Sequence, residues 1–269
     1  MRTSAVAPMA LAAALLVGLT SSCARPAPAA PSSRSSTAAS PVHSATGPTA
    51  NPVPPDPRVG AVFLGGGSLH TCTGAVLDSA GGDLILTAAH CVAEGLDVNF
   101  VAGLLNDAPP EDVWHIDAVY LDPRWVANQD PIADFAIARV SRDKGGTIQA
   151  QAGGGLTLGP APKPGTVVTV TGYAMGEGGG PIGCQGATAP AAKGFPSFPC
   201  GAVADGLSGS PWITGSTAVG LIGGLEGGGC DESVSYSPPF DDAIRQLLTR
   251  AEAGGPADAA PTVFDDDCG

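Results

Sequence analysis

Short apolar runs separated by turn residues dominate the chain from Val59 onward: "VGAVFL", "TGAVLD", "DLILTAA", "VNFVAGLL", "IDAVYLD", "DFAIARV", "GTVVTVTGYA" and "TAVGLIGG". Each is rich in Val, Ile or Leu, and each is bounded by Gly, Pro or Asp, the pattern of buried or half-buried strands. One stretch has helical periodicity instead, "FDDAIRQLLTRAEA", with Ile244, Leu247 and Leu248 on one face. The pattern predicts an all-β sandwich or barrel from Val59 to about Arg250, with a helix at its end. No internal repeat of fixed period is visible.

Composition agrees with many tight turns: the 269 residues include 39 Gly and 26 Pro, and only 14% are charged. A net charge of −13 argues against a general nucleic-acid binder, which needs a basic face to displace counterions. It leaves the substrate open.

The first residues are of a different kind. Arg2 followed by "APMALAAALLVGL" is a charged start and an apolar run too short to span a bilayer comfortably, the form of an export signal over residues 1–22. "LTSSC" resembles the lipobox of bacterial lipoproteins, which makes Cys23 a lipidation candidate, although Thr20 is a poorer fit than an aliphatic residue. From Cys23 to Pro57 the sequence is mostly Ala, Pro, Ser and Thr, too poor in apolar bulk to offset chain entropy, so a disordered tether is expected there. The folded domain is then expected over 58–250, and a polar tail over 251–269.

An exported chain can keep disulfides, and with Cys23 set aside six of the seven cysteines remain. "CTGAVLDSAGGDLILTAAHC" has its turn signal in the middle, and a hairpin centred between Gly81 and Gly82 places Cys72 across from Cys91. The other four cysteines allow three pairings. Cys184 with Cys200 brackets a Gly/Pro-rich loop, and Cys230 with Cys268 staples the tail to the body; this set is preferred. Zinc is disfavoured by the lack of any C-x-x-C or H-x-x-x-H spacing. No metal or other cofactor is expected.

Three motifs carry the candidate chemistry. "LTAAHC" holds His90, "DFAIARV" opens with Asp134, and "DGLSGSPW" holds Ser208 between glycines. Each alone suits an ordinary strand end or turn. Together, and in this order, they resemble the trypsin-like (chymotrypsin-fold) serine proteases, of the exported bacterial type. That resemblance implies two antiparallel Greek-key β-barrels with a C-terminal helix and the active cleft between the barrels. It implies a serine endopeptidase with His90 as general base, Asp134 fixing the imidazole and Ser208 as nucleophile, because a serine hydroxyl needs a base in reach. The N–H groups of Gly206 and Ser208 would form the oxyanion hole. Asp130, in the "NQDP" turn, is the alternative third member. The family often bridges the segment before the nucleophile to the loop after it, which would pair Cys200 with Cys230 instead.

Chain order excludes an α/β-hydrolase without reference to any family, since that fold needs a histidine after its serine. Here His43, His70, His90 and His115 all precede Ser208. Two residues depart from the family pattern: Leu207 stands where Asp is usual, and Ser210 where a second Gly is usual. Without an acid at 207 there is no counter-charge for a buried α-amino group, so cleavage after Arg58 is not expected to activate the protein. A catalytically silent binding module and an esterase-like hydrolase are the rival readings. The expected partners are protein or peptide substrates, with membrane contact only through a lipid anchor, and the chain is expected to be an exported monomer. The side-chain preference is not legible.

Overall fold

A computed structural model of the protein describes residues 47–93, 95–262 and 268. The export signal, Cys23 and most of the expected tether lie outside them.

The first half is a closed barrel. It comprises β2 (Val59–Leu64), β3 (Leu69–Val76), β4 (Leu84–Thr87), β5 (Val98–Ala102), β6 (Trp114–Leu121) and β7 (Ala136–Ser141), after a short β1 (Asn51–Pro52). The sheet order runs β3-β2-β5-β6-β7-β4 and closes through β3–β4 pairing. Phe100, Ile85, Leu86 and Ile137 are all at 0% exposure, and since the neighbours Ile85 and Leu86 point to opposite faces, β4 is covered on both.

The second half begins after α1 (Pro123–Asn128) and α2 (Ile148–Ala152), two short helices that the apolar pattern did not signal. Its strands are β8 (Thr157–Leu158), β9 (Val167–Gly172), β10 (Gly176–Glu177), β11 (Ile182–Ala187), β12 (Ala189–Ala192), β13 (Phe195–Pro199), β14 (Pro211–Thr214), β15 (Thr217–Leu221) and β16 (Val234–Tyr236). Among the described residues these form a β1-β11-β9-β14-β15-β8 sheet and a β12-β13-β16 sheet, while β10 joins β3. Val168, Val170, Phe198 and Trp212 pack between the two sheets. The arrangement is the two-barrel, mostly β architecture expected, with α3 (Asp242–Glu252) at its end burying Ile244, Leu247 and Ala251.

Packed residues flank the span from β2 to α3 on both sides. Ala50 donates its N–H to Gly201 O (2.8 Å) and Val53 donates to Pro181 O (3.1 Å). The stretch lacks aromatic bulk, but it needs little. A Cβ at Gly183 would meet Val53 at 3.0 Å, and one at Gly186 would meet Pro48 at 2.9 Å, so two glycines of β11 make seats for these small side chains. Beyond α3, Asp258 accepts from Leu121 N–H (2.8 Å), and Ala260 is buried among Ala89, Val92 and Trp125.

Three disulfides join Cys72 to Cys91, Cys184 to Cys200 and Cys230 to Cys268. The geometry of the first differs from the hairpin argument. The register pairs Gly74 with Thr87 and Val76 with Ile85, which centres the hairpin one residue earlier than expected. Cys91 is carried to Cys72 by a 3₁₀ turn over Ala89–Cys91 after the strand ends, and not by opposed strand positions.

Candidate active site

His90 sits in that 3₁₀ turn, directly after β4, and Asp134 ends the 3₁₀ turn before β7. Since β4 pairs with β7, with Thr87 opposite Ala136, the two turns emerge side by side at one barrel end. Asp134 Oδ2 lies 2.8 Å from His90 Nδ1, and Oδ1 accepts the His90 backbone N–H at 3.0 Å. Gly224 N–H, from the second half, adds a bond to Oδ2 at 2.7 Å. A carboxylate with no exposed surface is costly unless its oxygens are satisfied, and these donors satisfy it. Asp130 instead accepts from Ile132 N–H and caps the turn.

Ser208 lies on the loop between β13 and β14, and this loop is clamped to β3. Thr73 N–H donates to Ser208 O (2.8 Å), and Thr73 Oγ1 donates to Gly206 O (3.1 Å) while accepting from Tyr173 N–H (2.9 Å). Tyr173 in turn donates its hydroxyl to Leu104 O at 3.1 Å, and burial pushes its phenol pKa up. These partners carry no sequence signal, because a threonine in a strand has no distinguishing context.

The loop needs glycine at two places. Gly206 has φ +92°, and a Cβ there would stand 2.2 Å from Met175 N. Gly209 has φ +83°, and its Cβ would stand 2.1 Å from Thr73 O. Among the described residues the N–H groups of Gly206 and Ser208 have no hydrogen-bond partner, whereas Leu207, Gly209 and Ser210 donate to Ala204, Ile222 and Leu207 carbonyls. Leu207 is buried beside Trp212 and Cys200. Ser210 keeps a negative φ and is accommodated by Gly172 on β9, where a Cβ would come within 1.9 Å of its Oγ.

His90 and Ser208 line one cavity of about 890 Å³, which continues over Met175, Ala204 and Glu226 to Gly228. Ala202, which precedes the lining residues Val203 and Ala204, has no charge to offer. Cys72, His90 and Cys91 place ligand-type atoms within 4.8 Å of one another, but the two sulfurs are bonded to each other and supply no thiolate for a metal. Val59 N–H donates to Asp56 O at 2.9 Å inside a continuous chain, and Arg58 pairs with Asp56.

Solved structures with this fold include protease Anisep from Arthrobacter nicotinovorans, 23% identical over 76% of this chain and 100% of its own, at a TM-score of 0.65. A thermostable serine protease, AL20, from an extremophilic microorganism is 20% identical over 74% of this chain and 98% of its own, at 0.63. Human heparin binding protein is 18% identical over 79% of this chain and 100% of its own, at 0.58. No curated protein matches the sequence. The trypsin-like peptidase domain model matches residues 72–224, which span the His90, Asp134 and Ser208 motifs and more than half of the chain. The chain therefore belongs to the trypsin-like peptidase domain family.

Proposed function

We propose that the protein is a serine endopeptidase in which His90, Asp134 and Ser208 form the catalytic triad. The observation that carries this is the Nδ1–Oδ2 contact of 2.8 Å between a fully buried Asp134 and His90, which lines the same cavity as Ser208. With Nδ1–H donated to Asp134, His90 Nε2 is left as the base that takes the Ser208 proton while Oγ attacks the scissile carbonyl. The same proton then passes to the leaving amine, and water repeats the sequence on the acyl-enzyme. The N–H groups of Gly206 and Ser208, without a partner among the described residues, are the donors for the developing oxyanion.

A fluorophosphonate probe should label Ser208 in the wild-type protein. Labelling should vanish in Ser208→Ala, and peptide turnover should fall about 10⁶-fold in Ser208→Ala or His90→Ala. Absence of labelling in the wild type would favour a silent binding module. Labelling without cleavage in a peptide-library digest would favour an esterase.

Three disulfides are consistent with an oxidising, extracytoplasmic setting. Lipid attachment at Cys23 and a monomeric state complete the proposal. Loss of a metabolically incorporated fatty-acid label in Cys23→Ser checks the first, and sedimentation checks the second.

A further inference from the structure

The cavity beside Ser208 is lined on one side by Glu226, Gly227, Gly228 and Gly229, a glycine-rich wall that follows Gly224 and leads into Cys230. Gly224, Gly227, Gly228 and Gly229 all have positive φ, and Glu226 among them is held at φ +54°. Larger residues do not fit: a Cβ would stand 2.7 Å from Ile222 Cγ2 at Gly228, and 2.6 Å from Val234 O at Gly229. Such a run has the greatest freedom to lose on ordering. Its own hydrogen bonds are few, Gly227 N–H to Gly224 O (3.1 Å) and Gly229 N–H to Glu226 O (2.9 Å).

The two ends of the wall are fixed from outside. Gly224 N–H is bonded to Asp134, and the wall runs into Cys230, which is bonded to Cys268. Cys268 lines the same cavity as Ser208, and its Sγ lies 3.7 Å from Glu226 O. In this chain Cys200 is joined to Cys184, so the wall's disulfide runs to the segment after α3 and not to the segment before Ser208.

We propose that Cys268 is a positioning residue for substrate: through its bond to Cys230 it holds the glycine wall in the shape that receives the substrate side chain next to the scissile bond. This rests on the peptidase reading of the cavity. A wall of glycines is wide enough to admit a side chain but too soft to present a defined surface unless it is anchored. The Cys230–Cys268 bond supplies the anchor at the wall's far end.

The test compares the wild-type full chain with Cys230→Ser/Cys268→Ser on one peptide substrate, beside fluorophosphonate labelling and thermal melting. A wild type that neither labels nor cleaves refutes the peptidase reading itself. Given an active wild type, KM should rise about tenfold in the double variant, with kcat and the Ser208 labelling rate within about threefold. Unchanged KM with a lower melting temperature would show a bond that serves stability alone and would overturn the proposal. So would a fall in KM, or a parallel loss of kcat and labelling. Should the variant fail to fold, mild dithiothreitol treatment of the wild type replaces it. Cys268 is exposed while Cys72, Cys91, Cys184 and Cys200 are buried, so this bond reduces first. The reaction gives two protein thiols and one cyclic disulfide, counted with a thiol reagent. KM should rise with the appearance of those thiols and return on reoxidation; a KM that does not follow them overturns the proposal.

Discussion

Gly172 and Ser210 show how a departure from the family pattern is absorbed. The Ser210 hydroxyl is fully buried and, among the described residues, without a hydrogen-bond partner, and the missing side chain at Gly172 gives it room. Gly172→Ala should therefore cost roughly 1–3 kcal/mol through overpacking. Ser210→Gly in the same chain should recover most of it, measured as coupling in a double-mutant denaturation cycle. At the proposed third triad position, Asp134→Asn should lower turnover about 10⁴-fold, since an amide cannot hold the imidazole in the productive tautomer. Asp130→Asn should leave turnover within about twofold, because Asn caps a turn nearly as well as Asp. The reverse pattern in steady-state kinetics would move the role to Asp130. His90 and Ser208 were legible because their motifs are local. Gly224 and Thr73 were not, because the contacts that give them their parts join residues 90 and 133 positions apart.

At the scale of elements, strands with aliphatic alternation were visible and those without it were not. β2, β5, β7 and β9 are Val- or Ile-rich, whereas β12 reads "APAA" and β13 reads "FPSFP", sequences that propensity assigns to loops. β1 escaped for the same reason. Its consequence is testable: protein beginning at Val59 lacks the bonds from Ala50 to Gly201 and from Val53 to Pro181, and lacks the Arg58 carbonyl that accepts from Val76. Compared with protein beginning at Ala24, it should melt about 10 °C lower, a shift expected from the loss of a few such bonds. Turnover per folded molecule should stay comparable, as expected of an enzyme that needs no cleavage after Arg58. The entry to α1 gives a pH signature. Asp122 caps the helix at Arg124 N–H, and the Arg124 guanidinium bonded to its side chain holds its carboxyl below the ordinary 3.8. A folded value below the unfolded one means stability that is present above the unfolded pKa and is lost as pH falls through the folded one. Acid unfolding of Asp122→Asn should accordingly be shallower below pH ~4 than that of the wild type.

For the whole molecule, the closed first barrel was foreseeable from its runs of aliphatic residues, and the wrapping of its neighbour was not. The chain lays residues 49–53 on the second half before it builds the first, and after the second half is complete it sends α3 back onto β6 and β7. Arg250 seals that return by donating to Leu121 O at 2.8 Å. Each lobe is thus gripped by a piece of chain that belongs, in sequence, to the other side, and among the described residues no disulfide links a residue before Lys144 to one after it. The lobes should consequently remain together if the backbone is cut once between them. With a site-specific protease sequence placed at the exposed Gly145–Gly146 turn, the clipped protein should elute as one intact particle in gel filtration and part into two fragments only in denaturant. A clasp of this kind would make the molecule tolerant of a nick by its own kind, a useful property for a member of a peptidase family in the company of its own copies.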